Sequence, residues 1–292
     1  MSVADLAPAN TAAIRTRRGP GLWRFYRSEL RLIISRRRNE FGLLVLMAVP
    51  ILISIAVKYS SPHHEGSGGG PDFVSQILGN GIFVPLAALT LEMPMFFPLA
   101  MAILSGDTIA GEAHGGTLRY LVTVPAGRTR LLFVKLAALM TSAVIATLLV
   151  SVVGLIVGSA IFGAGPVLTL SGTTIGFGAG LWRVLLAALY VSAGLMALGA
   201  VGLFVSTLTE QPIAVTVVMM LTTMSMWILD QLSQLDWLHP WLLVDRWPAF
   251  SDLMRQPPAW HTMQMGLLVD GAYFAVFALL AWARFSNADI TS

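Results

Sequence analysis

The stretch "LAALMTSAVIATLLVSVVGLIVGSAIF", residues 136–162, runs for 27 residues without a charged side chain. As a helix it would extend about 40 Å, more than the roughly 30 Å hydrocarbon layer of a bilayer. So long an uncharged apolar run reads as a membrane-spanning helix rather than a buried core helix. Counted from Leu132, it is long enough to tilt or to begin before the membrane does. The whole chain agrees, at 56% hydrophobic, 11% charged and a mean hydropathy of +0.75. A soluble domain carries about a quarter charged residues. With no cysteine there is no disulfide framework and no thiolate metal site. The first 20 residues are polar and do not read as a cleavable signal.

Working outward, the hydropathy pattern predicts six spans, at 41–59, 82–104, 132–162, 185–208, 213–229 and 265–282. The fourth and fifth are separated by "TEQP", where Pro212 suits a tight turn and a helix start. Residues 1–19 read as a basic tail, 20–38 as an amphipathic interfacial helix, and 39–292 as the transmembrane domain. Within the last, 105–130 is a polar loop and 230–264 a polar-aromatic segment. No internal repeat is evident. Arginine and lysine divide fourteen against four between the two sides. By the positive-inside rule both termini and the 105–130 loop are expected in the cytoplasm.

"GLWRFYRSELRLIISRRR", residues 21–38, is amphipathic. At 100° per residue, Leu22, Trp23, Tyr26, Leu30, Ile33 and Ile34 fall within a sector of about 120°. Arg24, Arg27, Ser28 and Arg31 cover the other side, and Phe25, Glu29, Leu32 and Arg36 break the pattern. Such a helix is expected along the inner membrane face, with Arg24, Arg27 and Arg31 near anionic headgroups. Two readings stand: an anchor alone, or an anchor whose polar side also docks a cytosolic partner.

The loop "GEAHGGTLRYLVTVPAGRTRLLFVKL", residues 111–136, holds more than the charge topology requires. Gly111 and the Gly115-Gly116 pair punctuate it, "TLRYLVTV" suits a short helix, and Pro125 stops that run. Lys135 is expected at the mouth of the third span. A short helix tied at both ends to spans makes a good lever.

At these residues the chain resembles the membrane subunits of ABC-2 type ABC transporters. The resemblance lies in Gly111-Glu112, Gly116-Thr117-Leu118, Pro125-Ala126-Gly127-Arg128 and Lys135, together with the amphipathic helix, six spans and outer excursion. It implies an all-α integral membrane protein of ABC-2 (type V exporter-like) architecture. It further implies that Gly111, Glu112, Gly115, Gly116, Thr117, Leu118, Arg119, Pro125 and Arg128 contact an ATPase. Expected partners are two copies of a P-loop ATPase, a second six-span permease, identical or related, and membrane lipid, with no nucleic acid. ATP and Mg would sit on the ATPase; the chain itself has no G-x-x-x-x-G-K-[ST], so no cofactor is expected on it. The implied role is a permease in a bacterial plasma membrane, exporting a drug, lipid or peptide. Glu112 is expected to make a charge-assisted contact, to the ATPase or to the chain's own inner helices.

Glu92 lies mid-span among Pro85, Pro94 and Pro98. A carboxylate at that depth costs several kcal/mol unless neutral, paired or hydrated. It is either a pathway or gating acid or a protonated group bonded to a neighbouring helix. Asp270, two turns into the last span, is expected to be hydrated near the outer interface. Met220 and Met224, with Met219 and Met226, read either as lipid or helix contacts or as an adaptable surface for apolar cargo. Gly154 and Gly158 form a G-x-x-x-G that permits close helix approach. Trp237, Trp241 and Trp247 read as an outer aromatic belt. His63-His64-Glu65 reads as a solvated loop, and no metal site is expected. A membrane enzyme is disfavoured by the lack of H-E-x-x-H and G-x-S-x-G. A secondary transporter using Glu92 and Asp270 for proton coupling is the rival class.

Overall fold

Apolar runs become helices throughout the computed structural model, which describes residues 21–60, 79–116 and 128–287. The helices are α1 (Leu22–Ile34), α2 (Arg37–Ser60), α3 (Phe83–Glu92), α4 (Phe96–Thr108), α5 (Ala110–His114), α6 (Arg128–Phe162), α7 (Phe177–Ser206), α8 (Pro212–Asp230) and α9 (Trp260–Asn287). Strands β1 (Val167–Leu168) and β2 (Thr174–Ile175) form a minimal antiparallel hairpin, and 3₁₀ turns fill much of 233–254. The tail at 1–19 and the His63-His64-Glu65 stretch lie outside the described residues.

Among the described residues, five helices are long and apolar enough to cross a membrane: α2, α6, α7, α8 and α9. The remaining expected span, the second, is not one straight helix. It is the pair α3 and α4, bent by 58°. Pro94 and Pro98 explain the break, since neither has an N–H to give the preceding turn. At the other boundaries the helices are longer than hydropathy alone suggested. The third expected span begins at Arg128 and the fourth at Phe177, because packed helix ends continue past the apolar layer.

α7 is the central helix: 72% of its most apolar window is buried, against 17% for each of α2, α8 and α9. Its small residues let neighbours approach. A Cβ at Gly194 would stand 2.4 Å from the Trp247 ring nitrogen. On α6, Gly154 and Gly158 receive the start of α3; a Cβ at Gly158 would lie 2.3 Å from the Gly81 carbonyl oxygen. The G-x-x-x-G therefore packs within the chain.

The two ends of the bundle differ. At one, Asn80 donates to the Gly165 and Pro166 carbonyls, and the Leu170 N–H donates to the Met254 carbonyl at 2.8 Å. The hairpin and the 247–254 turns thus form a cap over α3, α7 and α9. The other end gathers α1, α5, the start of α2 and most of the arginines.

Candidate functional site at the arginine-rich end

α1 lies against α6, and the residues that broke its amphipathic pattern explain how. Glu29, at 340° on the wheel, borders the apolar sector and is buried, 8% exposed. Its carboxylate accepts from the Lys135 ammonium at 2.8 Å. The Tyr26 hydroxyl and the Thr141 hydroxyl of α6 are 2.6 Å apart. The apolar stripe is therefore shared: Phe25, Tyr26 and Ile33 turn partly inward, while Trp23 and Ile34 remain exposed at 71% and 44%. Arg24, Arg27 and Arg31 are exposed.

Lys135 is two turns inside α6 rather than at its mouth, and only 1% of it is exposed. Its ammonium donates a second bond to the Glu112 carboxylate at 2.6 Å. One buried cation thus clasps two carboxylates from two other helices. Glu29 has no counterpart in the motif that pointed to Glu112. The signal that could have found it was a lone acid beside the apolar stripe of an arginine-rich helix.

Local chemistry holds Glu112 there. α4 ends at Thr108, whose hydroxyl donates to the Ser105 carbonyl at 2.5 Å. The next two N–H groups, of Ile109 and Ala110, donate to the buried hydroxyl oxygen of Ser206 at 3.3 and 3.0 Å. Without that oxygen they would be orphans at a helix start. α5 follows, and Gly111 lies inside it rather than punctuating the loop. The glycine that turns the chain is Gly116, with φ of +65° and an N–H bonded to the Ala113 carbonyl at 3.0 Å. Gly115 caps α5 through its N–H to the Gly111 carbonyl. Thr117, Leu118, Arg119 and Pro125 lie outside the described residues. Arg128 opens α6 and donates to the Ser286 carbonyl of α9 at 3.3 Å.

The clasp carries two carboxylates against one ammonium. Burial pushes the Glu112 carboxyl above the usual carboxylate range, and the neighbouring Lys135 opposes that rise. A second cluster lies alongside. Asp107, near the end of α4, pairs with Arg36 at 3.1 Å and with Arg38. Together the two clusters join α1, α2, α4, α5 and α6 at one end of the bundle.

The other predicted residues stand apart from this end. Glu92 is wholly buried at the last residue of α3, and neither carboxylate oxygen has a hydrogen-bond partner among the described residues. Met224 is 49% exposed, and Met220, one turn before it on α8, packs partly buried against the core. Asp270 is not at a wet interface: it is 4% exposed, because α9 turns it inward. Trp237 and Trp241 are exposed at 71% each, but Trp247 is 3% exposed, seated on α7 at Gly194 and edge-on to Trp227. The belt therefore loses one member to the core. At the capped end, Asp230, His239 and Asp245 place potential ligand atoms within 4.8 Å of one another, a grouping suited by composition to a metal ion. Proximity in sequence had not suggested it. Arg246 stands 3.3 Å from Asp245, and Asp236 3.8 Å from His239.

Long apolar helices around a small-residue centre define an all-α membrane protein. Residues 72–291 match the family described as "protein of unknown function (DUF2705)", and the chain belongs to that family. No curated protein matches the chain. The matched region includes Glu112 and Lys135, while α1 with Glu29 and the arginines of the α1–α2 junction precede it.

Proposed function

We propose that the chain is the membrane subunit of an ATP-driven transporter of the ABC-2 type, working with a separate P-loop ATPase. One observation carries the reading: the Glu29–Lys135–Glu112 clasp, in which a single buried ammonium joins an interfacial helix, a loop helix and a span. A force applied to the loop after Gly116 reaches α4, α6 and α1 together, because their charged groups cannot part without leaving an unpaired ion in a poorly hydrated place. That is the mechanical link a partner's closure needs. In this reading Glu112 acts within the membrane subunit, positioning α5, and the exposed residues around Gly115 and Gly116 face the ATPase.

The remaining parts follow from the resemblance. Two ATPase copies carry ATP and Mg, a second six-span permease completes the pathway, and the membrane is a bacterial plasma membrane. The positive-inside rule puts the arginine-rich end in the cytoplasm. The cargo is hydrophobic or amphipathic, and export is the direction. A second reading is favoured by one observation: Glu92 and Asp270 are both buried, with both carboxylate oxygens of Glu92 and one of Asp270 lacking a hydrogen-bond partner among the described residues, a setting that suits a proton-coupled secondary transporter.

Affinity purification from the native membrane separates the two. The intact chain should bring down a P-loop ATPase, and a chain with residues 115–117 replaced by a charged tripeptide should not. If neither brings down an ATPase, the ABC-2 reading fails and proton coupling through Glu92 is tested next.

A further inference from the structure

The arginine-rich end holds a cavity of about 70 Å³ between α1, α2, α4 and α6. Its walls are almost wholly apolar, from Leu43 and Leu46 on α2, Phe97 and Met101 on α4, and Ile145 and Ala146 on α6. Ile34 and Arg38, both exposed, also line it, so it opens at the junction of α1 and α2. Water is a poor occupant of such a space, since a water needs two to four polar partners. A cavity in the first turns of a membrane-spanning helix is instead within reach of acyl chains.

Two polar features at its rim say what kind of chain would enter. The first is charge. Arg36, Arg37 and Arg38 are consecutive and exposed; Asp107 pairs with Arg36 and Arg38, and Arg36 also lies within electrostatic reach of Glu112. The junction keeps a positive surplus beside an apolar slot, the arrangement that suits a phosphate attached to a hydrocarbon tail. The second is Asn39, which lines this cavity and a smaller neighbouring one that also touches Arg36 and the three carboxylates Glu29, Asp107 and Glu112. Asn39 is only 9% exposed. Its amide nitrogen donates to the Ile33 carbonyl at 2.8 Å, but its buried side-chain oxygen has no hydrogen-bond partner among the described residues. A buried acceptor without a donor is costly. It calls for a ligand that brings an O–H or N–H next to its anion.

We propose that this cavity is a binding site for an anionic glycerophospholipid with a hydroxylated headgroup. Its acyl chain lies between α2, α4 and α6, its phosphate sits on Arg36 and Arg38, and its headgroup hydroxyl donates to Asn39. The lipid shares those arginines with Asp107 and so seats the α1–α2 junction against α4. The site does not depend on an ATPase partner and stands or falls apart from the transporter reading.

Gly42 offers a clean probe. It lines the cavity, lies in α2, and a Cβ there would meet nothing within 4 Å. Gly42→Leu should therefore enter without a clash at its Cβ, crowd the slot and replace a poor helix former, and an unchanged melting midpoint checks that the fold is kept. Native mass spectrometry of the purified full chain in detergent micelles would be titrated with dioleoyl phosphatidylglycerol and dioleoyl phosphatidylcholine. Phosphatidylglycerol should bind about tenfold tighter or more: phosphatidylcholine has the same phosphate, but its quaternary ammonium meets the arginines and it has no headgroup hydroxyl to donate to Asn39. Arg38→Gln should erase most of the preference while leaving the Arg36–Asp107 pair, and Gly42→Leu should weaken both lipids. Equal affinity for the two lipids in the unaltered chain overturns the proposal, as does undiminished binding in Gly42→Leu. Displacement of the lipid by millimolar glycerol 3-phosphate would also overturn it, because that marks a plain phosphate site with no use for the slot.

Discussion

Replacing Lys135 with methionine tests the clasp most directly. The side chain keeps most of its length but loses its charge, and the lysine it replaces is 1% exposed. Two carboxylates then remain, Glu29 with 10% and Glu112 with 13% of the side chain exposed, both formerly bonded to one ammonium at 2.8 and 2.6 Å. Removing one partner from a buried ion pair costs about 3–5 kcal/mol, because the charge left behind has lost its nearest counter-ion in a poorly hydrated place. Some of this loss is local. α1 is one short helix held on α6 by Glu29 and the Tyr26–Thr141 bond, so it should lift off before the bundle unfolds. Limited trypsin digestion in mixed micelles reads that opening at Arg27 and Arg31, and denaturant titration reads the rest. The variant Glu29→Gln/Lys135→Met/Glu112→Gln removes all three charges together. It should recover most of the lost stability, since neutralising a whole buried cluster is often close to neutral. If Lys135→Met were as stable and as protease-resistant as the unaltered chain, the clasp would carry no structural weight. A triple variant weaker than the single one would refute the argument from uncompensated charge.

Three further perturbations probe neighbouring features. Ser206→Ala removes the acceptor for the Ile109 and Ala110 N–H groups, and should cost about 1–3 kcal/mol; faster hydrogen exchange at those two amides checks it. Gly158→Val places a Cβ where the Gly81 carbonyl oxygen is 2.3 Å away, so α3 must shift, costing about 1–3 kcal/mol by overpacking; a melting midpoint equal to that of the unaltered chain would contradict the contact. Glu112 governs a pH effect. Burial raises its carboxyl above the ordinary range, so the folded chain binds this proton more tightly than the unfolded one. Its stabilising contribution is complete below the ordinary carboxylate range and is lost as pH rises through the raised folded value. Relative to Glu112→Gln, the unaltered chain should therefore gain stability on acidification from neutral pH. A relative loss would reverse the assignment.

How much could be read in advance depended on the range of the interaction. Hydropathy is summed over neighbours in sequence, so the apolar runs at α2, α6, α8 and α9 were legible with no knowledge of packing. The break in the second span was half legible: the prolines Pro94 and Pro98 beside Glu92 stand in the sequence, but the angle of 58° does not follow from them. Glu112 was legible through a short motif and Lys135 as the last residue of the same motif. Their bond was not, nor was Glu29, because Glu29 meets Lys135 across a sequence separation of 106. Asp270 and Trp247 were misplaced for the same reason. Depth along a helix follows from residue number, but the direction a side chain faces follows from its neighbours.

The sequence by itself determined that this chain is a helical membrane protein with its arginines gathered on one side, since the cost of charge and unpaired backbone in hydrocarbon acts on each segment separately. Only the tertiary structure decided which polar groups meet. The clasp on Lys135, the Ser206 cap and the slot beside Asn39 each join residues from different helices. Buried charge and orphaned hydrogen-bond groups are satisfied by whatever packing brings within about 3 Å, and no segment carries that information alone.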